Sequence, residues 1–144
     1  MSSTDSRNQS PVAAFVGIDW ADQKHAIVLR AAASTASSEH RSIGTQPDAL
    51  AEWVWEVRER LAGQGRILVC LEQSRGALIH FLMGYECFEL YPINPQQLAS
   101  YREALRPSGA KDDPIDAELL CRLLRVEYWL QPRWPLLAHW EILE

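Results

Sequence analysis

The chain has 144 residues, 47% of them hydrophobic and 23% charged, enough for one domain with a buried core and too few for a second of similar size. Its 14 basic residues are outnumbered by 19 acidic ones, giving a formal net charge of −5, the wrong sign for a free-standing module that holds nucleic acid by neutralising phosphates. Three cysteines, Cys70, Cys87 and Cys121, lie far apart with no Cys-x-x-Cys pair, which argues against a disulfide framework or a thiolate zinc site and points to a reducing, cytoplasmic setting.

Residues 1–11, MSSTDSRNQSP, are polar and Ser-rich and read as a disordered leader rather than a targeting segment. Val12 to Asp19 is an apolar run ending in an acid, and Lys24 to Ala32 is a second such run after the turn-like Ala21-Asp22-Gln23; together they predict a hairpin. Ser38 to Ile43 alternates weakly and gives a third strand. Gln46-Pro47-Asp48 then opens a helix, LAEWVWEVRERLAG, closed by Gly63 and Gly65. Arg66 to Leu71 is a buried-strand run ending at Glu72, Ala77 to Met83 a short helix stopped by Gly84, and Cys87 to Ile93 a further strand. Asn94-Pro95 starts a helix through Leu105, Pro107-Ser108-Gly109 breaks it, and Pro114 to Leu124 is the last clear helix. This order predicts an α/β domain over residues 12–127, a mixed sheet flanked by helices. The remainder, residues 128–144, is an apolar tail with three of the six tryptophans, of a kind that usually needs a partner surface. No run is long and apolar enough to span a bilayer.

Four acids carry the chemical interest. Asp19 and Glu72 each end an apolar strand, where α/β sheets commonly hold ligands in a shared crevice. Asp113 and Asp116 are three apart at a helix start, so their side chains share a face. Four hard oxygen donors at one point would suit Mg2+ or Mn2+ and, with two ions, phosphoryl transfer on nucleic acid. Each acid also has an ordinary reading: Asp19 opening a turn, Glu72 solvated beside Arg75, Asp113 capping a helix whose first residue is Pro114, and Asp116 favoured by the helix dipole. The four histidines lack zinc-like spacing, Trp53 and Trp55 cannot both face inward from one helix, and Ser74 and Ser108 lack a neighbouring base that would mark a nucleophile.

Three stretches, GIDWADQKHAIVL, LEQSRG and INPQQLASYREALRPSGAKDDPIDAELL, together resemble the N-terminal domain of the DEDD transposases of the IS110 insertion-sequence family, which includes the Piv-type DNA invertases. The resemblance runs from about Phe15 to Arg125, and its most specific piece, Lys111-Asp112-Asp113-Pro114-Ile115-Asp116-Ala117, is similar to that family's Lys-x-Asp-x-x-Asp-Ala signature; Asn94-Pro95 also fits. The resemblance implies an RNase H-like (RuvC-like) fold, and a Mg2+-dependent site on Asp19, Glu72, Asp113 and Asp116. It further implies DNA strand exchange guided by an element-encoded RNA; separately, the basic residues that crowd late in the chain, Arg106 and Lys111 among them, are candidate nucleic-acid contacts. Family members carry a nucleophilic serine on a second, C-terminal domain, and no serine here takes that role; residues after about Trp134 do not resemble the family's linking helices. The expectation is therefore a truncated product or excised domain, not active alone, that works with DNA, a guide RNA, further copies of itself or a full-length transposase.

Two rival functions stand beside this one. A stand-alone structure-specific nuclease or resolvase would use the same acids with water as nucleophile. An inactive remnant would serve as an oligomerisation module through its tryptophan-rich tail. A DEDD exonuclease fits less well, because its first motif pairs two acids one residue apart, whereas Asp19 is followed by Trp20 and Ala21; an actin-like sugar kinase needs a Gly- and Thr-rich phosphate loop that Trp20-Ala21-Asp22-Gln23 does not provide.

Overall fold

A computed structural model of the chain describes residues 11–20, 23–33, 37–72, 76–105 and 116–130. Residues 1–10, residues 106–115 with Arg106, Lys111 and Asp113, and the residues beyond 130 lie outside the described residues.

β1 (Val12–Asp19) and β2 (Lys24–Ala31) form the predicted antiparallel hairpin, with Gly17 opposite Val28 and Asp19 opposite Ala26. β3 (Ser38–Gly44) adds antiparallel to β2, while β4 (Arg66–Glu72) and β5 (Phe88–Ile93) run parallel to β1 on its other side. The strand order β3-β2-β1-β4-β5 makes a mixed five-stranded sheet. The chemistry of each strand fits its place. β4, covered on both faces, is apolar from Ile67 to Leu71, with Leu68 to Leu71 entirely buried. Edge strand β3 carries Glu39, His40 and Arg41 towards solvent, and edge strand β5 tolerates Pro92, which could not donate to a further strand.

Alternation along the strands divides the core into two layers. Val16, Ile18, Ile27, Val69 and Leu71 pack with Leu50, Trp53 and Val57 of α1 (Pro47–Arg60) and with Leu78 and Leu82 of α2 (Gly76–Met83). Phe15, Leu68, Cys70, Tyr91 and Ile93 pack on the other face with Leu98 of α3 (Pro95–Leu105) and with Ala117, Leu120 and Leu124 of α4 (Asp116–Leu130). The result is the RNase H-like arrangement of a mixed sheet between helices.

Local signals explain most boundaries. Pro47 stands at the first position of α1 with Asp48 in its first turn. Trp53 is 2% exposed and Trp55 62%, the division that helical spacing requires. Gly63 and Gly65 follow α1 with φ of 77° and 134°; at Gly65 a side chain would also run into the Pro11 carbonyl, which accepts the Arg66 amide at 2.9 Å where β1 and β4 begin to pair. Asn94 caps α3: its Oδ1 accepts the Gln96 amide at 2.6 Å, and its own amide donates back to Gln97 Oε1 at 3.4 Å, a reciprocal capping box. α4 continues six residues beyond the Leu124 read from the sequence, because Arg125 to Leu130 keeps helical composition with no Gly or Pro to stop it.

Candidate active site

Asp19 and Glu72 are the last residues of β1 and β4, two strands that are parallel neighbours in register, Gly17 lying beside Cys70. Each acid is two residues beyond that pair, so strand alternation sends both side chains to the same face as Cys70, the face covered by α3 and α4. Adjacent strands run about 4.8 Å apart, which makes the two carboxylates close neighbours at one end of the sheet. Both are half-buried.

Asp116 reaches the same end by another route. It is the first residue of α4, and the next residue, Ala117, is fully buried against β1 at Gly17. A Cβ on Gly17 would overlap the Ala117 carbonyl oxygen and the Cys121 amide and touch Leu120 Cβ at 3.0 Å, so the helix backbone lies directly on the strand. Further along, the Cys121 thiol donates to the Phe15 carbonyl at 3.4 Å, and Arg125 and Val126 flank Phe15 and Ala31, so α4 runs back along β1 with its amino end beside Asp19. Burial pushes the Cys121 thiol up to about 11 and raises Cys70 as well, which favours the protonated thiol at both.

The Asp116 carboxylate is held by Arg102 from the last turn of α3. Arg102 Nη2 donates to Oδ1 and Oδ2 at 2.8 Å each, and Nε donates to Oδ1 at 3.1 Å. The pair is about one-third exposed on each side, unlike the half-exposed Arg41–Glu56 pair on the opposite face of the sheet. Nothing in the sequence announced this contact, since the two residues are fourteen apart and on different helices. Gly17 did carry a signal, being a glycine inside a strand.

On the other side of the sheet end, Trp20 stacks on His25, ring centroids 3.7 Å apart and planes at 16°. His25 is 1% exposed, and burial pushes its pKa below the usual 6.5. His40 lies 3.5 Å from Glu118 at the surface. At the far end of β4 and β5, Arg66 forks onto Glu89 at 3.0 and 3.1 Å, and the Tyr91 hydroxyl donates to the same carboxylate at 3.0 Å, which satisfies a buried phenol.

Of the four acids singled out from the sequence, Asp19 and Glu72 thus end neighbouring strands, and Asp116 begins the helix packed on the same face and is paired with Arg102. Asp113, with Arg106 and Lys111, lies outside the described residues. Among the described residues no three His, Cys, Asp or Glu side chains stand close enough to enclose a metal ion. Asp19, Glu72 and Asp116 offer carboxylate oxygens, the donor type that hard cations prefer.

Residues 16–134 match the family model of the IS110-type DEDD transposases, described as a transposase. A curated protein of Sinorhizobium fredii strain NGR234 named as a transposase, y4uE, is 29% identical over 115 residues, a stretch that covers 78% of this chain and 32% of that protein. The chain therefore spans about a third of the length of that relative. With a match over most of its length, on an RNase H-like sheet whose strand ends and α4 start carry the acids, the chain belongs to the IS110 family of DEDD transposases.

Proposed function

We propose that this domain supplies carboxylates to a DNA transposase active site that performs divalent-metal-dependent phosphoryl transfer. The observation that carries the reading is that Asp19 and Glu72 end neighbouring parallel strands on the sheet face against which α4, beginning at Asp116, is packed. Family membership supports DNA as the substrate class. Asp113, one helical turn before Asp116 in sequence, completes the proposed set.

Mg2+ or Mn2+ held by Asp19, Glu72, Asp113 and Asp116 would supply Lewis-acid activation of an attacking oxygen and charge stabilisation of the leaving one. The protein's own contribution is placement. β1 and β4 fix two acids on a rigid sheet, Gly17 lets α4 bring a third against them, and Asn94 sets the start of the helix that carries Arg102. Arg106 and Lys111, near Asp113 in sequence, are proposed to contact phosphates, as is expected of basic residues beside an acidic site. Helices among the described residues are too short or too polar to cross a membrane.

The test is calorimetric titration of Mg2+ and Mn2+ into the chain and into Asp19→Asn and Asp116→Asn, each checked for folding by circular dichroism. Binding weakened at least about tenfold in both variants is the expected result, each substitution removing a charged ligand. Binding indifferent to both substitutions would leave the acids as strand ends and a helix start, and this reading would fail.

A further inference from the structure

Asp116 does not offer its carboxylate freely. Oδ1 accepts from both Nε and Nη2 of Arg102, and Oδ2 accepts from the same Nη2, so one guanidinium edge lies against both carboxylate oxygens. A cation approaching the start of α4 therefore meets a full positive charge already hydrogen-bonded to both carboxylate oxygens. It also meets the positive end of the α4 dipole, which Asp116 no longer offsets once it is paired with Arg102. The partial burial of both side chains shields this pair from solvent and salt more than a surface pair is shielded.

We infer that Arg102 is a latch on the site: as it stands it closes Asp116 to divalent cations, and the cation binds Asp116 only when Arg102 has let go. This rests on the reading of Asp116 as a metal ligand. The released guanidinium stands beside the acid cluster with its planar fork unsatisfied, and the group that best fits such a fork besides a carboxylate is a phosphate. Nucleic-acid backbone at the site would thus draw Arg102 away from Asp116, and metal loading and nucleic-acid binding would favour each other by the same factor, as linkage requires. The arrangement keeps the site poorly metallated until substrate arrives.

The experiment is Mn2+ titration by calorimetry into the whole chain, its Arg102→Gln and Arg102→Lys variants, and the Arg102→Gln/Asp116→Asn double variant, each with and without a short DNA duplex. Loss of a charge-assisted fork is expected to tighten Mn2+ binding about tenfold in Arg102→Gln and less in Arg102→Lys, which keeps the charge but not the fork. The gain should vanish in the double variant. DNA should tighten Mn2+ binding by the wild-type chain and have little effect on Arg102→Gln. Equal or weaker binding in Arg102→Gln, or in Arg102→Lys should the glutamine variant not fold, overturns the latch and makes Arg102 a residue that merely steadies Asp116. Failure of the underlying reading looks different: the gain in Arg102→Gln would persist when Asp116 is also replaced.

Discussion

His25 enters β2 stacked on the Trp20 indole, 1% exposed, one residue away from the strand position that faces Asp19. Burial disfavours its charged form, so its folded pKa lies below the 6.5 of an exposed histidine. The sign of the linkage follows: the unfolded chain binds this proton first as pH falls, so the stabilising contribution is full above 6.5 and drains away below it, at no more than about 1.4 kcal/mol per pH unit. His25→Phe keeps a flat ring under Trp20 without the titration. Urea midpoints between pH 7.5 and 5 should then fall more steeply for the wild-type chain than for the variant; parallel curves would assign the acid sensitivity to some other group. Arg102 is the other residue whose side chain matters beyond its own position, because it sets whether Asp116 is available as a ligand.

At the scale of elements, the contact that fixes the site is α4 on β1. Gly17→Ala places a methyl group into the Ala117 carbonyl and the Cys121 amide, and a backbone cannot give way as a flexible side chain can. A cost of about 3 kcal/mol is expected, with Mn2+ affinity falling alongside as Asp116 is pushed off the sheet. Gly76→Ala is the control, since nothing lies within 4 Å of its Cβ; at the start of α2 it should be neutral or stabilise by up to about 1 kcal/mol. Equal urea midpoints for the two variants would refute the close approach. The elements themselves were legible because each carried a local signal: the apolar runs of β1, β2 and β4, Pro47 at the start of α1, Asn94-Pro95 at the start of α3. Asp19 and Glu72 could be recognised as strand ends, but that β4 inserts beside β1 rather than beyond β3 is a matter of topology, which strand composition does not encode. The Arg102–Asp116 fork was hidden for the same reason, because helix-to-helix pairing has no period in the sequence.

For the whole molecule the governing quantity is charge. A chain with net charge −5 that gathers acids at one sheet end repels the phosphates it is proposed to process, so its affinity for duplex DNA in EDTA should be poor, weaker than about 10⁻⁴ M at physiological salt. Mn2+ should change that, and the direction is diagnostic. A divalent counterion ordinarily weakens protein–DNA association by competing for phosphates, so a rise in affinity has to come from the protein side, where filling the carboxylate site replaces negative potential with positive. Fluorescence anisotropy with a labelled duplex should show tighter binding in Mn2+ than in EDTA for the wild-type chain. Asp19→Asn should behave in the opposite way in both respects: with one negative charge fewer it should bind DNA better than wild type in EDTA, and with its site impaired it should gain nothing from Mn2+. An equal gain in Asp19→Asn would locate the ion elsewhere on this acidic chain, and Asp19 would then have no part in holding it or the substrate.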